Sequence, residues 1–363
     1  MMSAQTSITV KAPGKLMIAG EYAVLEAHHV LAVMAVDRFV YATIEDSEKQ
    51  ALTLTDLGLQ ELSWSYQKGQ VHIYRDDSRV QFVQQAMSVV CRYLEEQSHD
   101  WGSFTLSIQS ELDDVSGRKY GLGSSAAVTV AVVSAILEYV LPEKPKAELV
   151  FKLAATAHVL VQGSGSGADV AASAYGGVLR YVSFQADWLL AAWEENTSIT
   201  ALVHGDWPYL QLTPVTIPDS IAVRIGWTGK PASTTNLVGQ IQQMKRDKPA
   251  RFAAFIKQSD LAVAHIFEGI QAADWELIFQ GVKQNRMALA TLGEDADVPL
   301  ETPLLATLCD AAEQLGGAGK QSGAGGGDCG IAFMPSVETA KQLTNVWLEA
   351  GIQPLDLQIY HRK

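Results

Sequence analysis

The chain has 363 residues, 48% of them apolar and 18% charged, which allows two folded domains with a substantial core. A net charge of −13, from 40 acidic against 27 basic residues, argues against any general affinity for nucleic acid or an anionic membrane. Cys91, Cys309 and Cys329 are odd in number and far apart, which argues against a disulfide framework or a zinc site and points to a reducing cytoplasm.

In chain order, residues 1–10 lack the basic-then-apolar pattern of a secretion signal. Residues 7–10 read as a short strand leading into Lys11-Ala-Pro-Gly-Lys15, and 30–44 as one or two strands rich in β-branched residues. Residues 52–73 have the turn signals of hairpins. Val80, Val83, Met87, Val90, Cys91 and Leu94 repeat at helical spacing over 80–96. A strand at 104–108 precedes a glycine loop, an apolar helix over 126–141 and a second helix over 147–162. The longest apolar run, 126–137, is too short to span a membrane. A strand at 178–184 gives way to less regular sequence over 188–210. Beyond a boundary expected near 205–220 come a strand at 221–227, helices at 234–245, 251–272, 275–292 and 302–315, a strand at 330–333, a helix at 336–350 and a last strand at 355–360. The expected domains are 1–210 and 211–363.

Four stretches carry chemistry. Lys119-Tyr-Gly121-Leu122-Gly123-Ser124-Ser125-Ala126 sets two glycines and two serines before an apolar helix. Glycine allows close backbone approach, and free N–H groups at a helix start favour an anion, so the stretch reads as a phosphate cradle. It reads equally as an ordinary loop with a serine cap. Gln162-Gly-Ser164-Gly-Ser166-Gly-Ala-Asp169 places a carboxylate in a Gly/Ser loop, either to orient or deprotonate an attacking oxygen or simply to complement the helix dipole. The run 316–330, Gly-Gly-Ala-Gly-Lys-Gln-Ser-Gly-Ala-Gly-Gly-Gly-Asp-Cys-Gly, is nearly free of bulky side chains. Such a run is costly in conformational entropy, and a ligand approached by backbone explains it better than a linker. Lys11 and Lys15, four apart beside a glycine, could face one anion or be two solvated lysines. Two loose GxGxxG matches, at 121–126 and 163–168, lack the flanking strands of a dinucleotide site.

In order and type the four stretches resemble the motifs of the GHMP kinase superfamily, with 11–25 as the N-terminal motif, 121–127 as the phosphate loop, 164–177 as the catalytic-aspartate motif and 322–330 as the C-terminal glycine motif. Within it, Ala19-Gly20-Glu21-Tyr22, the segment 225–238 and Ser322-Gly323-Ala324-Gly-Gly-Gly-Asp-Cys-Gly are most similar to the bacterial phosphomevalonate kinase family. The resemblance implies an α+β fold of two lobes, the first like the second domain of ribosomal protein S5 and the second ferredoxin-like. It implies ATP and Mg2+, with Asp169 catalytic, Lys15 its paired lysine, Lys119 and Gly121 to Ala126 on the triphosphate, and Ser125 toward magnesium. Lys11, Gly20, Glu21, Tyr22, Ser164, Ser166, Thr228, Lys230, Ser233, Ser322, Gly323 and Ala324 would bind the acceptor, (R)-5-phosphomevalonate. Arg118 is a further local cation. His158 stands where mevalonate kinases carry a magnesium-binding glutamate, and a neutral imidazole is a poor magnesium ligand. The acceptor phosphate is already largely ionised, since its second pKa is about 6, so Asp169 need not act as a base. The alternatives are mevalonate kinase activity, or a catalytically silent member that binds a metabolite. Retention of Lys15 and Asp169 speaks against silence. The expected state is a cytoplasmic monomer or homodimer with no nucleic-acid or membrane partner.

Overall fold

The computed structural model describes residues 7–114, 117–195, 198–218, 221–231 and 234–362, without the side chains of 234 and 235. Its spine is the antiparallel pair β1 (Ser7–Ala19) and β2 (Val30–Asp46), in register from Ser7 opposite Glu45 to Ala19 opposite Ala32. Leu16, Ile18, Leu31, Val33, Met34 and Val36 are all buried, so these segments read as apolar runs rather than alternating strands. The expected strand at 7–10 continues through the whole Lys11–Lys15 motif. Pro13 is tolerated there because the register shifts between Pro13 and Gly14, where the ladder is already interrupted.

Around this pair the chain adds β3 (Ala51–Leu54), β4 (Leu59–Gln67), β5 (Gln70–Ile73), α1 (Gln81–Glu96), β6 (Phe104–Ser110), α2 (Ser124–Val140), α3 (Ala147–Gln162), α4 (Ala168–Tyr175), β7 (Val178–Val182), α5 (Ala186–Glu194), α6 (Ile199–His204) and β8 (Gln211–Val215). The sheet order is β5-β4-β3-β6-β2-β7-β8, with β1 on β2. Helices α1 to α4 pack on one another and, through α2 and α4, on β1 and β2. α2 is buried nearly all round from Ala126 to Leu137, as its uniformly apolar sequence requires.

The second part comprises β9 (Ala222–Trp227), α7 (Thr234–Asp247), α8 (Pro249–Ala272), α9 (Trp275–Ala296), α10 (Pro303–Gln314), β10 (Ala318–Gln321), β11 (Cys329–Met334), α11 (Val337–Glu349) and β12 (Gln353–Leu355). Its antiparallel sheet runs β10-β11-β9-β12, with Leu308, Leu343 and Trp347 packing a core under α10 and α11. α8 and α9 form a hairpin. Proline at its first position starts α8, and Asp274 caps α9 by accepting the N–H of Leu277.

Four readings change. The stretch 188–210 holds most of α5 and all of α6, too short to show a helical period. β8 was not foreseen and pairs with β7, so residues 211–215 lie in the first sheet although they follow the expected boundary at 210. Within the 316–330 run, Ala318–Gln321 form strand β10, which the sequence reading does not assign. The expected strand at 355–360 is β12, which ends at Leu355. Residues 358–362 instead return to the first sheet. Tyr360 N–H donates to Ala35 O, Asp37 N–H to Gln358 O and Gly177 N–H to Tyr360 O, and the Arg362 guanidinium donates to Ala174 O.

Candidate active site

The phosphate-loop candidate is built against β1. Lys15 N–H donates to Leu122 O at 2.8 Å, and its ammonium reaches Gly121 O at 3.2 Å. Gly121 and Gly123 hold φ of 82° and 78°, in the left-handed region. A Cβ on Gly121 would lie 2.5 Å from the Asp328 carboxyl carbon, and one on Gly123 would lie 3.0 Å from Lys15 Cε. Gly123 starts α2 with no side-chain cap, so the first N–H groups of this 17-residue helix are open to a ligand. The helix starts at Ser124, two residues before its expected position. Leu122 and Ala126 are buried beneath the loop, while Ser124 and Ser125 are half-buried at its mouth.

Beside Ser125, its Oγ and His158 Nε2 are 3.1 Å apart. His158 is buried against Phe82, and burial holds its imidazole below the ordinary range despite the opposing pull of Asp169. The ring is therefore neutral near pH 7. Asp169 lies in the first turn of α4 and accepts the N–H of Val170 at 2.9 Å. α4 is fixed to β1 by Ser173 Oγ, which donates to Pro13 O. Among the described residues no ion pair joins Lys15 to Asp169. The expected pairing is replaced by the bond from Lys15 to Gly121 O.

The second lobe closes on the same strand. Met17 N–H donates to Ser322 Oγ at 2.8 Å, two residues along β1 from Lys15. Tyr22 OH donates to Ala324 O, and Gly323 N–H donates to Glu21 Oε1. Thr228 donates to Asp328 O, and the Cys329 thiol donates to Tyr120 O next to the phosphate loop. Lys15 and Arg38 both bear electrostatically on Cys329. Thus Lys15, Gly121 to Ser125, Ser322 to Ala324 and Thr228 share one region.

Other expected residues stand apart. Lys11 is exposed, its ammonium 4.0 Å from the Phe39 ring centre and 5.3 Å from that of Tyr360, so it does not share an anion with Lys15. The register shift at Gly14 breaks the alternation that would have put both lysines on one face. Lys119 is exposed and bridges to Asp113 through its backbone. Arg118 and Ser164 are exposed, as is Lys230, whose carbonyl accepts Asp328 N–H. Ser166 is buried, with its carbonyl accepting from Tyr181 and Ser183. Glu21 is sealed in the interior, where it pairs with Lys320 rather than facing a substrate. Gly20, at φ 99°, delivers it there. Ser233 lies outside the described residues. Lys320, Asp328 and Arg38 were not foreseen. The one signal for Lys320 was a lone cation within a Gly/Ala run.

The residues present fit a nucleotide triphosphate with magnesium. The uncapped start of α2 offers N–H groups to phosphate, and Ser125 and Asp169 offer hard oxygen atoms. Among the described residues no group of three His, Cys, Asp or Glu side chains could hold a metal by itself. No helix among the described residues is long and apolar enough to cross a membrane.

Residues 81–177 match the GHMP kinases N terminal domain, and 266–353 match the GHMP kinases C terminal domain. The phosphomevalonate kinase of Streptomyces sp. (strain CL190) is 34% identical over 371 residues, covering 98% of each chain. The chain belongs to the GHMP kinases. Two solved structures bear out the two-lobed GHMP kinase fold over nearly the whole length. The Lin0012 protein from Listeria innocua superposes with a TM-score of 0.92 at 37% identity, covering 97% of this chain and 98% of its own. The Streptococcus pneumoniae phosphomevalonate kinase, in complex with phosphomevalonate and AMPPNP, superposes with a TM-score of 0.84 at 28% identity, covering 97% and 100%.

Proposed function

We propose that this GHMP kinase transfers the γ-phosphoryl group of ATP to the terminal phosphate of (R)-5-phosphomevalonate, giving ADP and 5-diphosphomevalonate in the mevalonate route to isoprenoids. It works in the cytoplasm as a monomer or homodimer, with a first lobe that runs through β8 to Val215 and a second lobe that follows it. The observation that carries the reading is the convergence on β1, where the phosphate loop is bonded at Lys15 and the 322–324 loop at Met17. Its support from relatives is the full-length similarity to two phosphomevalonate kinases.

The chemistry is positioning and charge neutralisation. Gly121 to Ser125 and the first N–H groups of α2 hold the triphosphate, and Lys15 supplies positive charge where negative charge accumulates. Ser125 and Asp169 are the residues that would hold magnesium, which would supply positive charge against the phosphates. Ser322, Gly323, Ala324 and Thr228 line the acceptor side. Asp169 orients the acceptor, because an ionised phosphate has no proton that must be removed. Purified protein with Mg-ATP should release ADP with 5-phosphomevalonate and far less with mevalonate in a coupled assay. Equal or reversed rates would move the assignment to mevalonate kinase.

A further inference from the structure

Lys320 lies within β10 and is fully buried. Its ammonium meets Glu21 Oε1 at 2.5 Å and Gln321 O at 2.5 Å. Glu21 is 2% exposed, and the same Oε1 accepts the N–H of Gly323 at 3.2 Å. Glu21 Oε2 is buried with no hydrogen-bond partner among the described residues. Neither side chain reaches solvent, so neither touches a substrate.

A buried ion pair is a poor stabiliser, because removing two charges from water offsets most of their attraction. Two apolar side chains of similar volume would fill the same space at least as well. An apolar pair could not accept the Gly323 N–H, and a carboxylate accepts it more strongly than a neutral oxygen would. The flanking residues are held too, Ser322 by Met17 N–H and Ala324 by Tyr22 OH. Three consecutive residues of a glycine-rich loop in the second lobe are therefore bonded to the first lobe, the middle one through a charge.

We propose that Glu21 and Lys320 are positioning residues, an interior tie that fixes the 322–324 loop against the first lobe and so sets the acceptor subsite. The inference rests on the proposed function in taking that loop as the acceptor's. Lys320 fixes the Glu21 carboxylate in the interior, and Glu21 holds the loop backbone.

The test uses two double variants of the full chain. Glu21→Met with Lys320→Met removes both charges and the acceptor for Gly323. Glu21→Gln with Lys320→Met also removes both charges but keeps an oxygen for that N–H. The first should melt near the wild-type temperature, keep the ATP KM within about 2-fold and raise the 5-phosphomevalonate KM by about 10- to 100-fold. The second should recover most of that loss. An unchanged acceptor KM in the first variant overturns the proposal, as does an equal rise in both KM values or a failure of the glutamine to rescue. Hydrogen exchange on ligand-free wild type covers the case in which the first variant does not fold. Residues 322–324 should be protected, and exchange at the rate of a free loop overturns the tie. Wild type inactive on 5-phosphomevalonate would refute the function, while the exchange result would still decide the tie.

Discussion

A side chain at Gly123 would meet Lys15 before it met any ligand. The sequence marked this glycine as a place where backbone approaches phosphate. The structure adds that its Cβ would press on Lys15 Cγ and Cε at 3.0 Å while straining a φ of 78°. Gly123→Val should therefore lower nucleotide affinity and kcat together, by about 10²-fold in kcat, because it displaces the lysine as well as blocking the cradle. Calorimetric ATP titration and turnover check this, and normal values for both would refute it. Asp169→Asn should retain part of the activity, since its amide oxygen can still accept the Val170 N–H and face the acceptor. Lys15→Met should cost more, and the double variant should lose less than the product of the two. If Asp169 were a general base, its loss alone would take about 10²–10⁴-fold. His158 gives a pH signature. Burial holds its folded-state pKa down, so on acidification the unfolded chain takes the proton first, near pH 6.5. Stability is full above that value and is lost as pH falls through the folded-state pKa. The melting temperature of wild type should drop more between pH 7.5 and about pH 5.5 than that of His158→Gln. At this scale the motifs singled out Lys15, Asp169 and the glycine loop, and the structure bonds Lys15 to that loop. They misplaced Glu21 and Lys11, because burial and a strand's register shift depend on partners far away in the chain.

Helices with a full amphipathic period were legible almost to the residue, as α1 and α3 show. α5, α6, β8 and β10 were not. α6 spans 6 residues, and β10, Ala-Gly-Lys-Gln, is a strand only by virtue of its pairing with β11. The α8–α9 hairpin shows packing overriding propensity. Within a helix, alanine is favoured over glycine by about 1 kcal/mol. A Cβ on Gly281, however, would stand 2.7 Å from Ala262 O and from Ile266 Cγ1. Overpacking of this kind costs about 1–3 kcal/mol. Gly281→Ala should therefore lower the melting temperature in scanning calorimetry, where propensity alone would raise it.

Across the whole molecule the order of motifs conveyed two lobes. It could not convey the bonds between them, since Met17 and Ser322 are separated by most of the chain and leave no local signal. Cys91, Cys309 and Cys329 report on the integrity of the whole. All three are buried with their thiols pushed above the ordinary range. In native enzyme none should react with a thiol reagent on the timescale of an unfolded control, and the slow rate should track cooperative opening. A colorimetric thiol count in buffer and in denaturant checks this. The return of residues 358–362 to the first sheet bears on biosynthesis. The turn Gly176–Gly177 follows directly on the helix that carries Asp169, and Gly177 N–H bonds to Tyr360. While translation proceeds, the emerging chain can assemble β1 to β8 and their helices, yet that turn lacks its closing bond until residue 360 has left the exit tunnel. A ribosome stalled before that point displays a folded first sheet with the aspartate's helix still unfastened at its far end.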